Sequence, residues 1–333
     1  WRRGRLRRRL RALKTCFGAR SCDSRVDMAQ LVAVVMAAGH GTRMKSALPK
    51  VVHPACGRPL VFYPVRAALE LGASRVVVVV NPETRPVIEA ALTRHLPDAP
   101  LTYAVQQVPR GTGDAVRAGL EGIETANDDI VLVLSGDTPL LQASDLTPIV
   151  DAVRGGQVLS FLSFEPEDAH GYGRVLRDEA GNPTEIREHR DLRSDAERAI
   201  RESNAGMYAA RADSMRDALG RLEPTNAQGE FYLTDIVRLL SGHGALSAHR
   251  TSPLSTLGVN HRGELADAEE ILFARIRKHW AREGATIVGR PLIDDSVRLD
   301  RDVVIEDGVR LRGKTSVGSE TRIDVGTVID DSS

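Results

Sequence analysis

The apolar residues near the C-terminus recur at every sixth position, and few folds accommodate that spacing. Helices bury residues about every 3.6 positions and strands about every 2, so neither explains eight regular positions in succession. These positions are Ile287, Ile293, Leu299, Ile305, Leu311, Val317, Ile323 and Ile329. A hexapeptide repeat explains them, because each hexad adds one short strand to a parallel β-helix. Another repeat architecture with the same spacing is the alternative.

A second pattern, from about residue 31 to residue 260, alternates short apolar segments with amphipathic segments. The predicted strands are Leu31–Ala37, Arg75–Val80, Thr102–Val105, Asp129–Leu134 and Val158–Phe164. The predicted helices are Leu60–Leu71, Pro86–His95, Asp114–Glu121, Leu146–Val153 and, further along, Leu265–Glu283. Apolar strands separated by helices indicate an α/β fold with a mainly parallel sheet covered on both faces. Such sheets bind ligands beyond the carboxyl ends of their strands.

The composition argues against membrane proteins and against nucleic-acid-binding proteins. The longest apolar run, Val76–Val80, is far shorter than the roughly 20 residues of a membrane span. The chain carries 45 basic and 45 acidic groups, but the first 27 residues hold nine arginines and one lysine against two aspartates. The rest of the chain is therefore acidic, which disfavours nucleic acid as the main partner.

The basic segment of residues 1–27 is expected to be a disordered leader outside the folded domain. Translation that starts at Met28 is the favoured interpretation, and a targeting segment is the alternative. Cys16 and Cys22 lie in this leader and Cys56 lies beyond it, with neither metal-type Cys/His spacing nor a disulfide framework. This cysteine usage suits a reducing compartment, so we predict a cytoplasmic protein.

The Gly-rich segment after the first predicted strand carries the strongest functional signal. It reads MAAGHGTRMKSALPK over residues 36–50. Gly39 and Gly41 allow a tight turn that presents backbone N–H groups to anionic oxygens. Arg43 can bind a phosphate through two parallel hydrogen bonds, and Lys50 supplies a compact positive charge. Since the spacing matches neither the Walker loop nor G-x-G-x-x-G, we predict a different kind of phosphate-binding loop.

This loop resembles the signature of nucleoside-triphosphate:sugar-1-phosphate nucleotidyltransferases. With its continuation Val51-Val52-His53, it is most similar to the bifunctional N-acetylglucosamine-1-phosphate uridyltransferase / glucosamine-1-phosphate acetyltransferase family. The resemblance implies a Rossmann-like nucleotidyltransferase domain with a mixed, mainly parallel sheet over residues 28–262. It further implies a linker helix over residues 263–284 and an incomplete left-handed β-helix over residues 285–333.

The same resemblance implies the reaction. UTP would transfer its uridylyl group to N-acetylglucosamine 1-phosphate, with Mg²⁺ as cofactor and pyrophosphate as second product, for cell-wall and lipopolysaccharide precursors. The acetyltransferase activity of the family is expected to be missing from this chain, because the residues for it would follow residue 333. A homotrimer is expected for a longer parent protein and stays open for this chain.

The resemblance also assigns site residues, each of which has an ordinary structural role as its alternative. Gln106 corresponds to a uracil-reading residue, whose amide can offer both a donor and an acceptor to the base. Segment 226–235 is similar to one that closes over the sugar. The implied catalytic residues are Arg43 and Lys50, the implied nucleotide-binding residues are Ala37, Ala38, Gly39, Gly41, Gln106, Gly111 and Thr112, the sugar-binding residues are Gly173, Glu188 and Asn204, and the metal ligands are Asp137 and Asn260.

Three positions depart from the family pattern. His40 replaces a basic residue, and Ala205 replaces a threonine near the sugar. Asp114 follows Gly111-Thr112-Gly113, where the family has histidine. A carboxylate there would be favourable at the start of a helix but would repel a triphosphate that it faced.

Three other functions stay open as alternatives. The first is a nucleotidyltransferase for another sugar 1-phosphate. The second is a sugar-nucleotide sensor without catalysis, although such proteins usually lose the residues that Arg43, Lys50 and Asp137 provide here. The third is a nucleic-acid-binding protein that uses the leader. The favoured prediction has no nucleic-acid or membrane partner.

Overall fold

The computed structural model describes residues 29–333, so the expectations for the leader, Cys16 and Cys22 lie outside the described residues. Most of the described chain before residue 262 surrounds one large sheet. The strands of this part are β1 (Leu31–Met36), β2 (Pro54–Ala55), β3 (Arg58–Pro59), β4 (Arg75–Val80), β5 (Leu101–Val105), β6 (Ile130–Ser135), β7 (Leu159–Phe164), β8 (Arg174–Arg177), β9 (Pro183–Arg187), β10 (Ser203–Arg211) and β11 (Leu246–Arg250). β2 and β3 form a separate small hairpin.

The strand order of the large sheet is β11-β7-β10-β6-β1-β4-β5, with β8 beside β10 and β9 beside β8. Strands β6, β1, β4 and β5 are parallel, as the apolar segments predicted. β10 runs antiparallel to both β6 and β7, which makes the sheet mixed. No strand was predicted over β10, because the segment around Asn204 and Gly206 lacks a continuous apolar pattern.

Helices cover both faces of this sheet. They are α1 (Phe62–Glu70), α2 (Arg85–His95), α3 (Thr112–Leu120), α4 (Ala143–Arg154), α5 (Asp195–Ala199), α6 (Ala212–Gly220) and α7 (Asp235–Leu240). Val35 joins the apolar cluster beneath α1, α2 and α4, whereas its neighbour Val34 joins the cluster beneath α3, α6 and α7. Because successive strand residues point to opposite faces, burial of both explains the continuous apolar strands.

A long helix, α8 (Arg262–Arg282), leads from the sheet to the hexapeptide repeat. Its Ala268, Leu272 and Phe273 belong to one apolar cluster with Met44 of the Gly-rich loop and Tyr63 of α1. Within residues 29–333, neither α8 nor any other helix has the length and apolarity that crossing a membrane requires.

The repeat forms three narrow parallel sheets, as its six-residue period predicts. Its strands are β12 (Thr286–Ile287), β13 (Leu292–Ile293), β14 (Arg298–Leu299), β15 (Val304–Ile305), β16 (Arg310–Arg312), β17 (Ser316–Val317), β18 (Arg322–Ile323) and β19 (Val328–Asp330). Each of β12 to β16 pairs with the strand three hexads further on, so that Ile287 lies beside Ile305 and Ile305 beside Ile323. The repeat positions therefore stack into one apolar core.

Candidate active site

The Gly-rich loop leaves the carboxyl end of β1 and returns towards the sheet at Lys50. Gly41 has φ 60°, and a β-carbon there would collide with the side chain of Lys50. Glycine is thus required both for the backbone conformation and for the close approach. The following short 3₁₀ turn, Thr42–Met44, buries Met44 and leaves Arg43 exposed.

Lys50, Asp137, Asn260 and Arg43 meet at this end of the sheet although they are far apart in sequence. The Lys50 ammonium donates to Asp137 Oδ2 and, at 3.4 Å, to Asn260 Oδ1. Arg43 Nη2 donates to the same Asn260 Oδ1 at 2.9 Å. The side chains of Lys50 and Asp137 are only 14% and 17% exposed, so bulk water screens their attraction less than on an open surface.

Local structure fixes the two oxygen-bearing residues of this cluster. Asp137 follows β6, and its Oδ1 accepts a hydrogen bond of 2.6 Å from Ser135 Oγ. Its carbonyl oxygen accepts the backbone N–H of Val259 at 2.9 Å, which ties it to the segment that carries Asn260. The N–H of Asn260 donates to Glu264 Oε2 at 2.6 Å, in the first turn of α8.

The donor set of Asp137 and Asn260 suits a hard cation. A carboxylate oxygen and an amide oxygen approach one positive group, the Lys50 ammonium. No cluster of three or more His, Cys, Asp or Glu side chains that could hold a metal occurs within residues 29–333. Mg²⁺ commonly binds through one or two protein oxygens and completes its shell with water and substrate phosphates, so the pair fits this ion.

A cavity of about 150 Å³ lies beside the Gly-rich loop. Its lining includes Ala38 and His40 from the loop, Asn81 and Pro82 after β4, and Gln106 after β5. The buried Asn81 donates through Nδ2 to the carbonyl oxygen of Ala38 at 2.9 Å and so holds the loop against β4. The cavity therefore joins the predicted phosphate loop to the predicted base-reading residue.

The side-chain amide of Gln106 has no free N–H group to donate to a base, although a glutamine was expected to offer both a donor and an acceptor. Its Nε2 already donates to the Gly111 carbonyl oxygen at 3.2 Å and to Asp114 Oδ2 at 2.9 Å. Asp114 is buried in the first turn of α3, where the helix dipole favours a negative charge. Its two oxygens pair with Gln106 and with Arg110. The first of the two outcomes expected for Asp114 is thus the one observed.

The three predicted sugar-binding residues also lie together. The backbone N–H of Asn204 donates to the Gly173 carbonyl oxygen at 2.9 Å. A β-carbon at Gly173 would stand 3.4 Å from Glu188 Oε1, which makes this glycine a close neighbour of the carboxylate. Asn204 Oδ1 accepts the N–H of Gly206 at 3.0 Å, which orients the amide.

Carboxyl groups crowd the neighbourhood of Glu188. Burial raises the pKa of Glu188, and the negative charges of Asp191 and Asp235 raise it further. The buried Tyr232 lies close by, and burial together with the charges of Asp191 and Glu188 raises its pKa to about 12. Several carboxyl groups therefore lie close together here, in surroundings that are less solvated than the loop-like sequence suggests.

Segment 226–235 connects the two halves of the site. Phe231 donates its backbone N–H to the Arg110 carbonyl oxygen and accepts the N–H of Gly113, both at 2.8 Å. Leu233 donates its N–H to Thr112 Oγ1 at 3.0 Å. At its other side, Ala227 donates to Asp191 Oδ1 at 2.9 Å. The Gly-Thr-Gly loop and the acidic region are thus held by one segment.

Several residues of the site were not identified from the sequence. Asn81 directly follows a buried strand, where residues that contact ligands are common. It could therefore have been predicted as a site residue from its position in the sequence. Glu264 and Arg110 belong to the site only because they hydrogen-bond to Asn260 and Asp114, and the sequence does not show these contacts.

A larger cavity, of about 510 Å³, lies at the opposite end of the sheet. Its lining includes Gln30 and Arg75 at the amino ends of β1 and β4, and Asp129 just before β6. None of the predicted site residues lines it, and parallel sheets bind their ligands at the other end. We therefore place the candidate site at the carboxyl ends.

Comparison with known proteins identifies the domain that this site belongs to. The model of the MobA-like NTP transferase domain matches residues 33–219, more than half of the chain. The chain belongs to the MobA-like NTP transferase family. The match includes the Gly-rich loop, Asp137, Glu188 and Asn204, while Asn260 lies beyond it.

Curated relatives match a longer stretch. The chain is 46% identical over 304 residues to the bifunctional protein GlmU of Anaeromyxobacter dehalogenans (strain 2CP-C), which covers 90% of this chain and 62% of that protein. It is 46% identical over 306 residues to GlmU of Sorangium cellulosum, covering 90% and 64%. Against GlmU of Streptomyces coelicolor it is 39% identical over 314 residues, covering 89% and 64%. The chain thus spans less than two thirds of the length of these relatives.

Proposed function

We propose that the chain transfers the uridylyl group of UTP to N-acetylglucosamine 1-phosphate. The observation that carries the proposal is the meeting of Lys50, Asp137 and Asn260 at the end of the sheet where Gln106 and the Gly-rich loop line a cavity. The identity of the substrates rests on the motif resemblance over the loop and the sugar-binding residues. Residues 28–262 would form the transferase domain, 263–284 the linker helix and 285–333 the start of the β-helix, in a cytoplasmic protein.

In this reaction an oxygen of the sugar phosphate attacks the α-phosphorus of UTP. The new P–O bond forms as the bond to the β-phosphate oxygen breaks, and pyrophosphate leaves with that electron pair. A phosphate monoester is largely ionised at neutral pH, so the chain does not have to remove a proton from it.

The residues of the chain bind and orient the phosphates. The backbone N–H groups of Gly39 and Gly41 face anionic oxygens, while Arg43 and Lys50 stabilise the charge that develops on pyrophosphate. Asp137 and Asn260 would hold Mg²⁺, which when bound neutralises phosphate charge. Gly173, Glu188 and Asn204 would bind the sugar and its N-acetyl group. Positioning and charge stabilisation together account for most of the catalysis of such transfers.

Pyrophosphate release tests the proposal, with UTP, N-acetylglucosamine 1-phosphate and Mg²⁺ as reactants. We expect release that stops without the metal, falls at least about 10²-fold in Asp137→Ala, and falls sharply with glucose 1-phosphate. Asp98→Ala, an exposed aspartate at the opposite end of the sheet, is the matched control and should leave the rate unchanged. If pyrophosphate is released only with a different sugar 1-phosphate, the proposed specificity for N-acetylglucosamine 1-phosphate is wrong. If no combination of nucleotide and sugar 1-phosphate gives release, the proposed enzymatic activity is wrong.

A further inference from the structure

The side-chain amide of Gln106 is held in one orientation. Its Nε2 lies 2.9 Å from Asp114 Oδ2 and 3.2 Å from the Gly111 carbonyl oxygen. Both partners can only accept hydrogen bonds, so the amide nitrogen must face them. A reversed amide would set its own oxygen against a carboxylate and a carbonyl, and would leave all three acceptors unpaired.

Asp114 is itself held from a second side. The side chain is 7% exposed, and its Oδ1 accepts a hydrogen bond of 2.8 Å from Arg110 Nη2. Charge-assisted hydrogen bonds of this kind are stronger than those between neutral groups. Asp114 is therefore a fixed acceptor, and its negative charge favours only one orientation of the Gln106 amide.

The consequence appears at the cavity beside the Gly-rich loop. Gln106 lines that cavity, and no donor within residues 29–333 pairs with its Oε1. The side chain can therefore present an acceptor, and no donor, to a ligand there. An acceptor that faces ring nitrogen N3 distinguishes the two pyrimidine bases, because uracil carries a hydrogen there and cytosine a lone pair. An acceptor that faced position 4 would instead favour cytosine, whose 4-amino group donates where uracil has a carbonyl oxygen.

We propose that Asp114 is a positioning residue for base selection, which holds the side-chain oxygen of Gln106 toward ring nitrogen N3 of the base so that the site accepts uracil and rejects cytosine. The inference rests on the proposed function only in taking this cavity as the base site. Asp114 acts through Gln106 and touches neither the base nor the phosphates.

The test compares UTP with CTP in the full chain carrying Asp114→Asn. An asparagine can donate to Gln106 Oε1, so the Gln106 amide is free to reverse and to offer its N–H₂ to cytosine. We expect the ratio of kcat/KM for UTP over CTP to fall about 10-fold or more. The KM for UTP should rise while kcat at saturating UTP changes little. Asp98→Asn is the control of equal charge change, and it should keep the wild-type ratio.

A double-mutant cycle separates this role from a general disturbance of the loop. Gln106→Leu alone should lower the same ratio, and adding Asp114→Asn should lower it no further. If Asp114→Asn fails to fold, Asp114→Ser is the second variant, because a hydroxyl can donate to Gln106 Oε1 as well as accept from its Nε2, and we expect a smaller fall in the ratio.

Three outcomes would overturn the inference. The wild-type protein could use UTP and CTP equally well, a folded Asp114 variant could keep the wild-type ratio, or Asp114→Asn could have its full effect in a chain that also carries Gln106→Leu. Equilibrium binding of UTP and CTP gives the same comparison without a sugar phosphate. A protein that selects UTP but releases no pyrophosphate with N-acetylglucosamine 1-phosphate would therefore reject the proposed function and keep this inference.

Discussion

The proposed nucleotide end of the candidate site, around Lys50 and Asp114, and its proposed sugar end, around Glu188, are built in different ways. At the nucleotide end, charged side chains pair with one another, as Lys50 does with Asp137 and Arg110 with Asp114. At the sugar end, Tyr232 Oη and Asp191 Oδ2 are buried without a hydrogen-bond partner in the described part of the chain. Unpaired buried polar groups cost stability, whereas paired ones are already satisfied by the fold.

This difference separates catalysis from sugar binding. We expect loss of the Lys50 or Asp137 charge to lower kcat, because each is a charge that the fold has already positioned. Changes at the sugar end should weaken binding of the sugar phosphate while they preserve or improve stability.

The largest effect is expected for Lys50→Ala. The change removes the ammonium that lies between Asp137 and Asn260, so kcat should fall by a factor of about 10² or more. Steady-state pyrophosphate release measures it, with Lys278→Ala on the exposed face of α8 as the control. A fall in kcat of less than about 3-fold would show that Lys50 is not a catalytic charge.

Glu188→Gln should weaken sugar binding and alter the pH dependence of stability. The folded pKa of Glu188 is raised above its ordinary value of 4.5, so the folded chain keeps this proton where the unfolded chain has lost it. Wild-type stability therefore falls as pH rises from near 4.5 through the folded pKa. Glutamine does not ionise and avoids this loss.

Melting temperatures at pH 4 and pH 8 measure the second effect. The variant should melt higher than wild type at pH 8, and the difference should shrink at pH 4. The KM for the sugar phosphate should rise about 10-fold, because a charged hydrogen-bonding group is lost. An unchanged KM, or the same difference in melting temperature at both values of pH, would contradict the role given to Glu188.

The smallest effect is expected for Tyr232→Phe. Removal of an unpaired buried hydroxyl should leave stability unchanged or raise it by up to about 1 kcal/mol, while the KM for the sugar phosphate rises a few-fold. Tyr63→Phe is the matched control, since the buried Tyr63 donates to the Ala55 carbonyl oxygen at 2.7 Å. That control should lose about 1 kcal/mol with no change in KM. Equal destabilisation by both variants would remove the contrast between paired and unpaired groups.

The sequence predicted those parts of the site that follow a buried strand. The Gly-rich loop and Asp137 come directly after β1 and β6, and the carboxyl ends of parallel strands share one edge of the sheet. The hexapeptide repeat was predictable for a similar reason, because its core positions are set by spacing along the chain.

Other features depend on contacts that spacing does not determine. The antiparallel β10 sits between β6 and β7 because of tertiary pairing that its mixed sequence does not indicate. The hydrogen bond from Gln106 to Asp114 requires the turn at Gly111, which has φ 112°. The unpaired hydroxyl of Tyr232 is visible only once its neighbours are packed around it.

Following the α-phosphorus of UTP tests the central claim most directly. The purified chain would be given UTP labelled at the α-phosphate, N-acetylglucosamine 1-phosphate and Mg²⁺, and the products separated by ion-exchange chromatography. The account predicts that the label appears in a nucleotide sugar and that the pyrophosphate is unlabelled. Label that stays in UTP, or that appears in UMP, would contradict it, because the site would then not transfer a uridylyl group to the sugar phosphate.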